Sequence, residues 1–228
     1  MYKRPMKLNI LFDLDGTLTD PSEGITGCIE YALNRLNVPC PPREQLKKYI
    51  GPPLWQAFAE LLNTTDKAEA ENGVCIYRER FSTIGLFENT LYEGITDALE
   101  AITAAGHTLF ICTSKPKVFA DKIADRFGLS PFFKQIYGSA LDGKHVEKDM
   151  LIAHLLNTEG LDAGKTVMIG DRIYDIKGAQ ANGIKGYGVT YGFGEREEFD
   201  GAAGIFSNPA EIAAFFVQNP SAPENGRE

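Results

Sequence analysis

The 228-residue sequence predicts an α/β fold, a parallel sheet layered between helices, with a block of helices inserted after the first strand. Three observations carry this expectation. Short apolar runs of the kind found in strands buried on both faces alternate with segments of helical period. One long stretch, 21–88, holds helical pattern and no convincing strand. At 43% hydrophobic and 11% aromatic residues, the chain can also fill a sizeable core.

The stretch "KLNILFDLD" (7–15) reads as the first strand. Three apolar sets then recur at helical spacing: Ile25, Ile29, Ala32, Leu33 and Leu36; Leu54, Ala57, Phe58, Leu61 and Leu62; Val74, Tyr77, Phe81 and Ile84. The connectors "NVPCPPRE" and "NTTDK" punctuate them. Alternation resumes with a helix over 95–105 ending at Gly106, the strand "TLFICTS" (108–114), and a helix over 116–127 starting at Pro116. A weaker strand, "FKQIYGS" (133–139), precedes a helix over 146–157 with Val146, Met150 and Ala153 on one face. The strands "KTVMIGD" (165–171) and "IKGYGVT" (184–190) complete the pattern. The expected organisation is a discontinuous sheet domain, 1–20 and 89–218, a helical domain, 21–88, and a fraying polar tail, 219–228.

The net charge of −8, with no Lys/Arg cluster, argues against a nucleic-acid polymer as partner, and any anionic substrate needs a local positive site. Cys28, Cys40, Cys75 and Cys112 have no C-x-x-C spacing, which fits a reduced, cytoplasmic chain. The apolar run before Asp13 is too short for a signal peptide, and no stretch approaches the roughly 20 residues that span a bilayer. No motif specifies an oligomeric state.

In an open parallel sheet, ligands bind beyond the carboxyl ends of the strands. Those ends carry Asp13 and Asp15, Thr113 and Ser114, and Asp171 with Asp175 one helical turn on, while Lys148 sits in the first turn of a helix. Four converging carboxylates raise one another's pKa and call for a hard divalent cation, which makes Mg²⁺ the expected cofactor. One carboxylate can attack phosphorus and a second, two residues along, can move the proton. Thr113 and Lys148 would hold phosphoryl oxygens, the backbone N–H groups near Thr113 and Ser114 would face the phosphate from a helix N-terminus, and Lys115 would supplement them. Asp175 would act from behind, orienting a metal-bound water or Lys148.

Taken together, "DLDGT" (13–17), "ICTS" (111–114), Lys148 and "MIGDRIYD" (168–175) resemble the four motifs of the haloacid dehalogenase superfamily, in order, over roughly residues 8–190. The resemblance implies a Rossmann-like three-layer core with a helical cap. It implies Asp13 as nucleophile, Asp15 as general acid/base with its carbonyl on the metal, Thr113 and Lys148 as phosphate ligands, and Asp171 as a direct metal ligand. "GSALDGKHVEKDMLIAHLL" (138–156) and "YIGPPL" (49–54) resemble the phosphoglycolate-phosphatase-like branch and its nucleotidase or phosphotyrosine-phosphatase subgroup. The implied function is a Mg²⁺-dependent phosphatase acting on a small phosphate monoester, phosphoglycolate or a nucleoside monophosphate. Gly51, Pro52 and Pro53 form a rigid turn that the resemblance places over the active site as specificity residues, whereas Trp55 reads as packing within the helical layer. The competing functions are a phosphohexomutase of the same superfamily and a phospho-Asp signalling switch. The switch fits poorly, because such a domain has no helical insertion and carries its phosphoacceptor on a later strand than its acid pair.

Overall fold

A computed structural model describes residues 7–142 and 144–218. The first strand, β1 (Asn9–Phe12), is followed at once by β2 (Thr19–Asp20). Gly16, at φ +82°, makes the turn between them, and the Leu14 carbonyl accepts from the Thr17, Leu18 and Thr19 N–H groups. Helices α1 (Ser22–Arg35), α2 (Arg43–Leu46), α3 (Leu54–Leu61) and α4 (Lys67–Phe81) come next. The chain returns through β3 (Thr90–Leu91), which pairs antiparallel with β2, so the two strands that lead out of and back into the sheet are tied together.

The remaining elements alternate: α5 (Ile95–Ala104), β4 (Thr108–Pro116), α6 (Lys117–Arg126), β5 (Phe133–Ser139), α7 (Lys148–Glu159), β6 (Thr166–Gly170), α8 (Ile173–Ala181), β7 (Lys185–Val189), β8 (Gly204–Phe206) and α9 (Pro209–Gln218). Six strands form one sheet in the order β5-β4-β1-β6-β7-β8, every pair parallel. The chain leaves β1 towards β4 and β5, then crosses back to β6, so strand order reverses beside β1. No helix among the described residues is long and apolar enough to cross a membrane.

Strand alternation divides the core. Ile10, Phe12, Leu109, Ile111, Val167 and Ile169 join one buried cluster with residues of α5, α6 and α9, and this cluster continues into the helices between β2 and β3. Leu11, Phe110, Cys112 and Met168 join the other, with Leu151, Ile152 and Leu155 of α7 and Ala179 of α8. A period of two thus serves both faces, which explains the unbroken apolar runs. In α1, Ile25, Cys28, Ile29, Ala32 and Leu33 are buried at helical spacing, as the sequence pattern requires.

Two local expectations need correction, and two features go unread in the sequence. Pro116 holds ψ 129° and remains extended, so α6 begins at Lys117 and Thr113 and Ser114 lie on β4. They are therefore not at a helix N-terminus; proline biases the residue before it towards extended backbone, and the strand runs on. Met150 is 56% exposed, because α7 starts at Lys148 and buries the face carrying Lys148, Leu151, Ile152 and Leu155. Strands β2, β3 and β8 are not readable in the sequence, since strands of two or three residues carry too little periodicity. Helix α9 went unread; it buries Ile212 and Phe216 beneath the sheet. The tail expected at 219–228 lies outside the described residues.

Helices α3 and α4 meet at Phe58, fully buried and 6.3 Å from the Tyr77 ring in an edge-on pair. A Cβ at Gly73 would lie 2.5 Å from Phe58 Cδ1. Alanine normally stabilises a helix interior over glycine by about 1 kcal/mol. Here Gly73→Ala is expected to destabilise the wild type, while in a Phe58→Ala background it recovers about 1 kcal/mol, and Phe58→Ala alone costs about 3–5 kcal/mol. Urea denaturation of the four proteins in this cycle measures both signs.

Candidate active site

The carboxyl ends of β1, β4 and β6 meet where strand order reverses, and their polar residues meet with them. Lys148, at the start of α7, is buried; its Nζ donates to Asp13 Oδ1 and to the Cys112 carbonyl, each at 2.9 Å, and lies 2.8 Å from Asp175 Oδ1. Burial alone would lower the pKa of this ammonium, but the Asp13 and Asp175 carboxylates outweigh it and hold the group well above the usual lysine value.

Asp15 faces another cation. Its Oδ2 lies 2.8 Å from Lys115 Nζ, which also sits 4.6 Å over the Phe81 ring. Burial pushes the Asp15 carboxyl up, Lys115 opposes this, and the net direction is up. The two acids of "DLD" thus sit in separate ion pairs: Asp13 with Lys148, Asp15 with Lys115.

Asp13, Asp171 and Asp175 can each offer an oxygen within 4.8 Å of the others. Asp171 Oδ2 accepts from the Phe193 N–H at 2.8 Å, whereas Oδ1 is buried with no hydrogen-bond partner among the described residues. Burial first, then Asp13 and Asp175, push the Asp171 carboxyl well above the usual range. The Asp175 carboxyl is pushed up to about 6 by burial despite Lys148, and its Oδ2 accepts from the Arg172 N–H at 3.1 Å. Glycine makes the trio possible: a Cβ at Gly16 would fall 2.0 Å from Asp171 Oδ2, and one at Gly170 would fall 2.1 Å from Asp175 Cγ. A buried carboxylate oxygen without a donor, in a trio whose charge is disfavoured, fits a hard divalent cation.

The structure gathers Asp13, Asp15, Thr113, Ser114, Lys148 and Asp175 around one cavity of about 410 Å³, which Gly51, Pro52 and Pro53 also line. Asp171 adjoins Asp13 through the acid trio. Thr113 is buried and its Oγ1 accepts from the Lys115 N–H at 3.3 Å, while the Ser114 carbonyl accepts from the Ser139 hydroxyl at 2.8 Å. The trio is made without the Asp15 carboxylate, which faces Lys115, and the sequence reading gives the metal the Asp15 carbonyl. Two details differ from the sequence reading. The Lys148 ammonium already faces three protein oxygens. Trp55 lines the cavity at 40% exposure instead of packing within the helical layer.

Sequence reasoning missed two arginines that line the cavity, Arg78 on α4 and Arg172 before α8. Arg172 donates from Nη1 to the Ile50 carbonyl and from Nε to Glu198 at 3.1 Å, joining the loop after β6 to the turn before α3. Only its place inside "MIGDRIYD" could have drawn attention to it.

Compared with known proteins, residues 10–189 match the family described as haloacid dehalogenase-like hydrolase. A 5′-nucleotidase of Pseudomonas aeruginosa is 52% identical over 190 residues, covering 83% of this chain and 86% of that protein. The tyrosine-protein kinase PtkA of Mycobacterium tuberculosis is 35% identical over 84% of this chain and 65% of its own length. A phosphoglycolate phosphatase of Caulobacter vibrioides is 29% identical over 82% of this chain and 80% of that one. The crystal structure of a predicted phosphatase from Clostridium acetobutylicum superimposes with a TM-score of 0.89 at 39% identity, covering 93% and 99% of the two chains.

The raised acids set a pH dependence. A carboxyl with a raised folded-state pKa favours the protonated form, so its contribution to stability is present below the ordinary carboxyl range. That contribution is lost as pH rises through the folded value, about 6 for Asp175. A cation that binds the ionised trio reverses the loss. At roughly a hundredfold excess over Kd, Mg²⁺ is expected to add about 2.7 kcal/mol, several degrees of melting temperature, at pH 7.5 and much less at pH 5. Differential scanning fluorimetry of the wild type and Asp171→Asn checks this; an equal shift in the variant would remove Asp171 from the cation site.

Proposed function

The chain belongs to the haloacid dehalogenase-like hydrolases and is a phosphoric monoester hydrolase, and from that premise we propose that it releases phosphate from a small monoester in two steps, through an aspartyl-phosphate on Asp13. The observation that carries this reading is the separation of the "DLD" acids into two ion pairs at one cavity floor.

Lys148 holds Asp13 Oδ1, which directs the second carboxylate oxygen to the phosphorus. As that bond forms, the bond from phosphorus to the leaving oxygen breaks. Asp15, entering this step in the protonated form that its burial favours, gives its proton to the leaving alcohol. The resulting Asp15 carboxylate, steadied by Lys115, takes a proton from the water that attacks the aspartyl-phosphate, and Asp13 is regenerated as phosphate departs. Thr113 and Ser114 bind phosphoryl oxygens. Lys148, whose donors face protein oxygens, contributes its charge.

Asp13, Asp171 and the Asp15 carbonyl would hold Mg²⁺, with Asp175 positioning Lys148 and close enough to join them. Bound there, the ion supplies charge that offsets the carboxylates and the phosphoryl oxygens. The helices between β2 and β3 act as a cap, residues 21–88, on a core of 1–20 and 89–218, excluding water while the first step proceeds. Phosphoglycolate and nucleoside monophosphates are the leading substrates, in keeping with the names of the relatives, and the four free cysteines support a cytoplasmic setting.

Asp13→Asn is expected to abolish phosphate release from p-nitrophenyl phosphate while leaving the melting curve cooperative; wild-type turnover by this variant would overturn the mechanism. Asp15→Asn should behave differently. Because p-nitrophenolate leaves without a proton, the variant should give one rapid equivalent of product and then stall, with steady turnover down about 10²–10⁴-fold. Stopped-flow absorbance reads the burst, and its absence would deny Asp15 the second step.

A further inference from the structure

Arg78 lines the active-site cavity, yet the chemistry above gives it no task. Lys67, Glu71, Val74, Arg78 and Phe81 of α4 all face this cavity, at the spacing of one side of a helix. Phe81 lies against Lys115, the partner of Asp15. Arg78, three residues earlier, therefore stands about 4.5 Å further along the helix from the reacting carboxylates, where a leaving group would lie.

Its donors are unevenly used. Nη1 reaches the Leu141 carbonyl at 3.3 Å, but Nε is buried and has no hydrogen-bond partner among the described residues. The other cations around the cavity are engaged: Lys148 with Asp13 and Asp175, Lys115 with Asp15, Arg172 with Glu198, and Lys67 with Glu71. Among the described residues Arg78 is thus the cation at this cavity with no carboxylate partner, and its guanidinium keeps charge and donors for a ligand.

The cavity narrows the choice of ligand. At about 410 Å³ it falls in the range of sites that enclose whole organic molecules, and Tyr49, Pro52, Leu54, Val74, Leu141 and Val146 give it apolar walls. A two-carbon leaving group such as glycolate would leave most of these walls against water. A nucleoside covers them with its ring and carries hydroxyl, carbonyl and ring-nitrogen acceptors. We infer that Arg78 is a specificity residue whose guanidinium donates to the nucleoside of a nucleoside monophosphate. This inference rests on the phosphomonoesterase reading of the same site.

The test compares kcat/KM for a panel of 5′-nucleoside monophosphates, phosphoglycolate and phenyl phosphate, whose ring bears no acceptor, in the wild type, Arg78→Gln and Arg78→Lys. The lysine variant keeps the charge and loses the planar guanidinium fork. The wild type is expected to favour at least one nucleoside monophosphate over phosphoglycolate by tenfold or more. Both variants should lower the ratio of nucleotide to phenyl phosphate about tenfold, mainly through KM. An unchanged ratio in either variant, or a wild type that favours phosphoglycolate, would overturn the role of Arg78 while leaving the phosphatase intact. A wild type that releases phosphate from none of the three would instead defeat the underlying reading, and the inference with it. If neither variant melts cooperatively, inhibition of the wild type by the free nucleoside decides, and no inhibition counts against the inference.

Discussion

The active site depends on one ammonium placed among carboxylates. Lys148 brings Asp13, Asp175 and the Cys112 carbonyl to a single nitrogen, joining the ends of β1 and β4 to α7 and α8, with Asp13 and Lys148 themselves 135 residues apart in the chain. Without it, buried like charges would face one another across the end of the sheet. Removing one partner of a buried pair commonly costs about 3–5 kcal/mol, because the remaining charge is left uncompensated. The packing of α7 on α8 respects the same contact: a Cβ at Gly178 would come within 2.9 Å of Lys148 Cγ. Fold and site therefore share a constraint, and the buried face of α7 is set by Lys148 as much as by its leucines.

Around that nitrogen, electrostatics assigns different characters to similar residues. The acids two apart in "DLD" point to different lysines because β1 ends at Phe12 and the chain turns at Leu14, so the period of two that would put both on one side no longer holds. One acid stays in the charged cluster, and the other is held up in pKa beside Phe81 and Lys115. Charge is most disfavoured at Asp171, whose Oδ1 has no hydrogen-bond donor among the described residues. Burial that would be a defect in an ordinary core is here suited to a positive charge.

Much of this was legible in the sequence, for identifiable reasons. The β1, β4, β6 and β7 runs are apolar on both faces, so they announced a covered parallel sheet, and β5 lay where its weaker pattern placed it. Asp13, Asp15, Thr113, Lys148 and Asp171 could be read because each lies at a strand end or helix start, where topology fixes its direction. The pairing of Lys115 with Asp15 could not, since it depends on β4 continuing extended to Pro116. The grouping of Asp175 with Asp13 and Asp171 depends on how closely glycines let the loops approach. Arg78 and Trp55 were illegible for another reason: helical spacing says which residues share a side, not which side covers a cavity.

The bond from Arg172 to the Ile50 carbonyl bears on how such a chain can change over time. The loop carrying two of the acids holds the backbone just ahead of Gly51, whose φ of +104° and missing side chain leave room for the arginine; a Cβ there would meet Arg172 Cγ at 3.0 Å. The helices over the cavity are thus not an interchangeable module. A recombinant that borrowed this segment from a distant relative, without a glycine at this corner, would shift the arginine and disturb its grip on Glu198. Inheritance of the two parts is therefore coupled, and new specificities are more accessible through point changes along α4 than through exchange of the whole segment.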